Sequence, residues 1–142
     1  MFSLMNESVP WEERRRCIAS FHQLYEQCFA RRCSPHLSHL DEPGANPLNL
    51  VCYMWWDIIP PYGQPNEPPR REFDAAILQV MDSTLYLESL ACQESALHGL
   101  GHWQMVYPER VGEIIDRFSM THPHLPEKLR EYMLAAYTGY VL

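Results

Sequence analysis

Prolines divide this chain into segments whose apolar residues recur at three- and four-residue steps. A proline cannot sit inside a helix without breaking it, but it suits the first helical turn or the residues past a helix end. Between these borders the spacing is helical throughout. Trp11, Ile18, Phe21, Tyr25 and Cys28 mark a helix over about 9–32, with Ser8 as N-cap and Pro10 in the first turn. A loop over 34–46 follows, punctuated by Pro35, Pro43 and Gly44. Asn46-Pro47 then reads as N-cap plus first helical residue of a segment that runs to about Ile59, where Pro60-Pro61 stop it. A strand over Leu50 to Ile59 is the alternative, because the run is aromatic and apolar; the start signal and the length favour a helix. Residues 60–69, PPYGQPNEPP, hold five of the 12 prolines and form a stiff second loop.

Three further boundaries complete the pattern. Phe73, Ile77, Val80 and Met81 support a helix over about 70–87, and Ser89 caps another over about 89–106. Pro108 starts a helix in which Val111, Ile114, Ile115 and Phe118 repeat at i, i+3, i+4, i+7. After the turn Thr121 to Pro126, Leu129, Tyr132, Met133, Ala136, Tyr137 and Tyr140 form the cleanest amphipathic stripe. The expected fold is therefore all-α: residues 1–142 as a single compact domain of five or six helices with two proline-rich loops.

Composition narrows the function classes. A chain of 142 residues, 46% hydrophobic and 20% charged, is globular and has the length of one domain. Eleven basic against 18 acidic residues give a net charge of −7, which argues against a phosphate-tracking nucleic-acid binder. The apolar runs are too short for a membrane span, and the start lacks the pattern of a secretory signal. The five cysteines, Cys17, Cys28, Cys33, Cys52 and Cys92, include no Cys-x-x-Cys pair. They read as reduced, mostly buried thiols in a cytoplasm.

The segments ESALHGLGHW, YPERVGEIIDRF and LREYMLAAYTGYVL, within about 88–142, resemble a HEAT-type helical repeat. That resemblance implies stacked helical hairpins; no second copy of the pattern is evident. The chain as a whole is similar to small bacterial helical proteins, a likeness that implies no activity.

One polar face carries candidate chemistry. On a helical wheel, Ala96, Leu97, Leu100, Trp103 and Tyr107 fall on one side, and Glu94, His98 and His102 fall near the opposite side. This face reads as solvated or covered by another helix, with the imidazole pair aimed away from the shared core. A carboxylate and two imidazoles at i, i+4, i+8 suit a divalent transition metal. Three successive turns span about 12 Å, too far for one ion, so two of them plus a donor from elsewhere is the better arrangement. His22, His36, His39, Asp57 and Glu88 are the available donors. Gly99 and Gly101 within this helix predict a close approach, a kink or a break.

Other candidates are weaker. Cys28, Cys33, His36 and His39 lie close in sequence, but at spacings that no zinc finger uses. Tyr53, Trp55, Trp56, Asp57 and Tyr62 gather aromatic area that suits an apolar ligand pocket, and Arg70 and Arg71 follow as possible anion ligands. The apolar chain end suggests a homodimer through the C-terminal helix, with fold-back onto the aromatic helix as the alternative. The expected role is a noncatalytic binding or interaction module, without a cofactor, that engages a protein partner or a small apolar ligand. The alternatives are an enzyme or metal-dependent protein using Glu94, His98 and His102, and an acid-sensing module.

Overall fold

Asn46 and Ser89 open helices for the reason their side chains suggest. Asn46 Oδ1 accepts the Leu48 amide at 2.9 Å, and Ser89 Oγ accepts the Cys92 amide at 3.4 Å. The computed structural model describes residues 2–59 and 63–141. These are α1 (Phe2–Met5), α2 (Trp11–Leu24), a π-helical turn (Tyr25–Phe29), α3 (Ala30–Arg32), a 3₁₀ turn (Ser38–Leu40), α4 (Pro47–Tyr53), α5 (Trp55–Ile58), α6 (Pro68–Leu85), α7 (Leu90–Trp103), α8 (Pro108–Thr121) and α9 (Glu127–Thr138). Among the described residues the architecture is all-helical, and the strand alternative for Leu50 to Ile59 is excluded. No described helix is long and apolar enough to cross a membrane.

Local chemistry accounts for the departures from the sequence reading. The first long helix starts at Trp11 on Pro10 rather than on Ser8, with no side-chain cap. Its π turn inserts a residue and brings Tyr25 and Phe29 edge to face, with Tyr25 stacked on Trp56 at 5.9 Å. The second helix is interrupted at Met54, where φ −82° and ψ 6° leave the helical region before α5 restarts. The loop over 34–46 is not irregular throughout, because its 3₁₀ turn is held by a side chain described below.

α7 is the centre of the molecule. It packs against α4, α5, α6, α8, α9 and the π turn. Every residue from Ala91 to Gly101 is buried. The two glycines answer to close approach: a Cβ on Gly99 would lie 2.7 Å from both Trp56 Cγ and Met81 Cε, and one on Gly101 would lie 2.5 Å from the Val141 methyls. The helix is neither kinked by them into two elements nor broken. α9 folds back on α7, burying Leu129, Tyr132, Met133 and Ala136, while Leu134, Tyr137 and Tyr140 stay exposed. Gly139, in the left-handed region at φ 79°, ends α9 and turns the chain so that Val141 reaches α7.

Candidate metal centre

Of the two placements open to the polar face of α7, solvated or covered, burial leaves the covered one and turns Glu94 and His98 into the interior rather than away from it. Glu94 is fully buried and His98 nearly so, at 2% exposure, whereas His102 is partly exposed. A wheel for one helix assigns polar residues outward by default; here α4, α5, α9 and the loop over 34–46 cover that side and supply hydrogen-bond partners. Glu94 turns toward the loop. Its Oε2 accepts the Ser38 amide at 2.8 Å, and Oε1 accepts the His39 amide at 2.9 Å and meets His39 Nδ1 at 2.6 Å. The carboxylate therefore caps the 3₁₀ turn and is not free to bind an ion beside the two imidazoles.

His98 and His102 turn instead toward Asp57. The helix break at Met54 makes this possible, because α5 restarts with Trp56 seated over Gly99 and Asp57 carried onto the next turn of α7. His98 Nε2 and His102 Nε2 are 3.0 Å apart. His102 Nε2 lies 3.0 Å from Asp57 Oδ1, and His98 Nε2 lies 3.3 Å from each Asp57 oxygen. Bonds of about 2.0–2.2 Å from a divalent ion to imidazole nitrogen and carboxylate oxygen put neighbouring ligand atoms about 3.0–3.5 Å apart. The triangle has the size of a metal coordination face.

Hydrogen bonding alone satisfies this triangle poorly. A single proton on one Nε2 serves part of it and leaves the other Nε2 lone pair facing the carboxylate. Protons on both nitrogens let each imidazole donate to Asp57, but turn two N–H groups toward each other. A shared cation supplies what all three lone pairs lack. Burial above all, and then the neighbouring His102, hold the His98 imidazole below its ordinary pKa, with Asp57 acting in the opposite direction. His98 is thus neutral at pH 7, the form that binds a metal.

A second tier orients the first. His98 Nδ1 is 2.8 Å from the Tyr132 hydroxyl, which is 2.9 Å from the Tyr53 hydroxyl. When His98 donates from Nδ1 to Tyr132, and Tyr132 donates onward to Tyr53, Nε2 is left bare and directed at the site. Burial pushes the Tyr132 phenol well above its ordinary range, and the bond to Tyr53 adds to this, so it remains a neutral hydroxyl. His39 stacks on the Tyr132 ring at a centroid distance of 4.2 Å, which ties the Glu94 network to the same phenol. The Asp57 and His102 side chains are 27% and 31% exposed, leaving one side of the site open to solvent.

The other sequence candidates go elsewhere. Trp56 and Tyr53 are core residues; Trp55 lines an apolar groove of about 420 Å³ with Leu4, Phe21 and Ile59. Tyr62 lies outside the described residues. Arg70 sits over the Phe73 ring at 4.7 Å, with Nη1 3.1 Å from Met5 Sδ, and Arg71 donates to the Pro65 carbonyl at 3.0 Å. Arg71 thus has a partner from its own chain, whereas Arg70 Nε and Nη2 are buried without a hydrogen bond, Nη2 lying 3.9 Å from Asp74 Oδ1. The Cys28, Cys33, His36, His39 group is dispersed: His36 bonds Ser34 and His39 bonds Glu94. Asp57 was legible as a donor type but not as the partner of this pair. The spacing places Tyr132 in an amphipathic stripe, and nothing in it marks the hydroxyl.

No family model, curated protein or solved structure matches this chain. The geometry of the site is therefore the basis for a functional reading.

Proposed function

We propose that this protein binds one divalent transition-metal ion through Asp57, His98 and His102. The single observation behind this reading is the convergence of three donor atoms from two elements at 3.0–3.3 Å. Two nitrogens and one carboxylate suit Zn²⁺ or Fe²⁺ better than the all-oxygen preference of Ca²⁺ or Mg²⁺. Three protein ligands with a solvent-open side match sites that keep a position for water or substrate. Metal analysis and calorimetric titration of untagged protein test the reading. One ion per chain is expected, lost in Asp57→Asn and in His102→Ala. Wild-type protein that takes up no stoichiometric Zn²⁺ or Fe²⁺ removes it.

The noncatalytic binding module is a second reading, favoured by the apolar groove beside Trp55. Its volume lies in the range of small-ligand sites, and its occupant would be a small apolar molecule. Native mass spectrometry that finds no retained ligand, with Trp55 fluorescence unmoved by apolar probes, argues against it. A homodimer through α9 and a cytoplasmic setting belong to the same proposal. Exposed Leu134, Tyr137 and Tyr140 support the first, and five free thiols support the second. A strict monomer in concentration-dependent light scattering removes the dimer. The HEAT-like reading of residues 88–142 is supported by the mutual packing of α7, α8 and α9 as consecutive helices.

A further inference from the structure

A cavity of about 320 Å³ outside the metal centre is lined by Arg71, Ala75 and Leu78 of α6, Arg110 of α8, and Pro65 and Tyr107 from the segments before these helices. Arg71, Ala75 and Leu78 recur at i, i+4 and i+7, so one face of α6 forms its wall. The Tyr107 ring is fixed in place: its hydroxyl donates to buried Asp74 at 2.8 Å, and it stacks on Trp103 at a centroid distance of 6.0 Å. Arg71 Nε donates to the Pro65 carbonyl at 3.0 Å, and among the described residues its two terminal nitrogens have no hydrogen bond. Arg110 has an exposed contact to Glu113 at 3.3 Å, a pair that adds little in water. Both arginines stand in or beside the first turn of a helix, where the macrodipole disfavours a cation and favours an anion; α6 has no acid there and α8 has Glu109. Among the described lining residues there is no carboxylate, in a chain whose net charge is −7.

We propose that this cavity binds a small hydrophobic monocarboxylic acid, with Arg71 and Arg110 as the partners of its carboxylate. Guanidinium forks match the two oxygens of a carboxylate, and the anion supplies the charge that both arginines lack from their own chain. Leu78, Ala75, Pro65 and the Tyr107 ring then cover the apolar body. The volume is at the small end of ligand sites, so the body is a single ring or a short chain. A phosphate would turn oxygens toward these apolar walls, where no donor meets them. The site shares no lining residue with the groove beside Trp55 and stands independently of the metal centre.

4-Phenylbutyrate is the probe, added to chelator-treated protein so that no metal ion holds its carboxylate. Methyl NMR should show saturable shifts at Leu78, with a Kd of about 1 mM or tighter. Arg71→Gln and Arg110→Gln should each weaken binding about tenfold, and so should replacing the acid by its amide. Both arginine side chains are exposed, so these variants should keep the fold, which an unchanged methyl spectrum of the core verifies. No saturable shift at Leu78 up to about 20 mM probe overturns the proposal. So does an amide that binds as well as the acid, inorganic phosphate that competes equally, affinity unmoved in both arginine variants, or shifts centred on Trp55 instead.

Discussion

Glu94 has no solvent exposure, yet it takes two backbone amides and an imidazole from a loop more than fifty residues away in sequence. Removing such a carboxylate strands buried donors, at about 3–5 kcal/mol for a paired buried charge. Glu94→Ala should lose stability of that order in urea unfolding, and proteolysis should speed up first in the loop over 34–46. A second residue-scale test concerns Tyr107, whose hydroxyl donates to Asp74 at 2.8 Å. Burial, followed by that bond, pushes its phenol up to about 12 from the ordinary 10.0. Between these values the unfolded chain releases a proton that the folded chain keeps, so this contribution to stability falls as pH rises through that window. Absorbance at 295 nm should show Tyr107 among the late-ionising tyrosines, with buried Tyr25, Tyr53 and Tyr132, and Asp74→Asn should bring one of these late steps down in part. Tyr132→Phe should weaken metal binding by about ten- to a hundredfold through the lost orientation of His98, read by calorimetry.

At the scale of elements, the two glycines of α7 make different predictions. Gly99→Ala drives a methyl into the Trp56 ring and Met81, with α5 directly behind. Overpacking of this kind costs about 1–3 kcal/mol, and here it should also shift Asp57 and abolish stoichiometric metal uptake. In Gly101→Ala the nearest atoms belong to the Val141 side chain, away from α5 and Asp57, so metal uptake should persist. Helix identity was legible because caps and prolines act locally: Asn46, Pro47, Ser89 and Pro108 stand where the sequence places them. The side on which His98 sits was not legible. That depends on α4, α5 and α9 closing over α7, and a wheel contains no information about neighbours. The break at Met54 was hidden for a similar reason, since nothing at that position forbids a continuous helix.

For the whole molecule, the sequence revealed the all-helical class, and its argument that two of Glu94, His98 and His102 need a donor from elsewhere is carried into the proposed site. It did not reveal that Asp57 meets the two imidazoles. That pairing spans about forty residues and arises only when α5 docks on α7. Binding of an ion to the folded state alone adds about 2.7 kcal/mol at a hundredfold excess over Kd. Zn²⁺ should therefore raise the melting temperature, a chelator should reverse this, and Asp57→Asn should show neither effect in scanning calorimetry.

The break at Met54 leaves Asp57 on a helix of four residues, while both imidazoles ride on the most deeply enclosed helix. Trp56, in the same four residues, is buried against Gly99 and anchors α5 in the core. An ion held here would therefore exchange through the solvent-open side beside Asp57 and His102, while α5 and the rest of the chain keep their native packing.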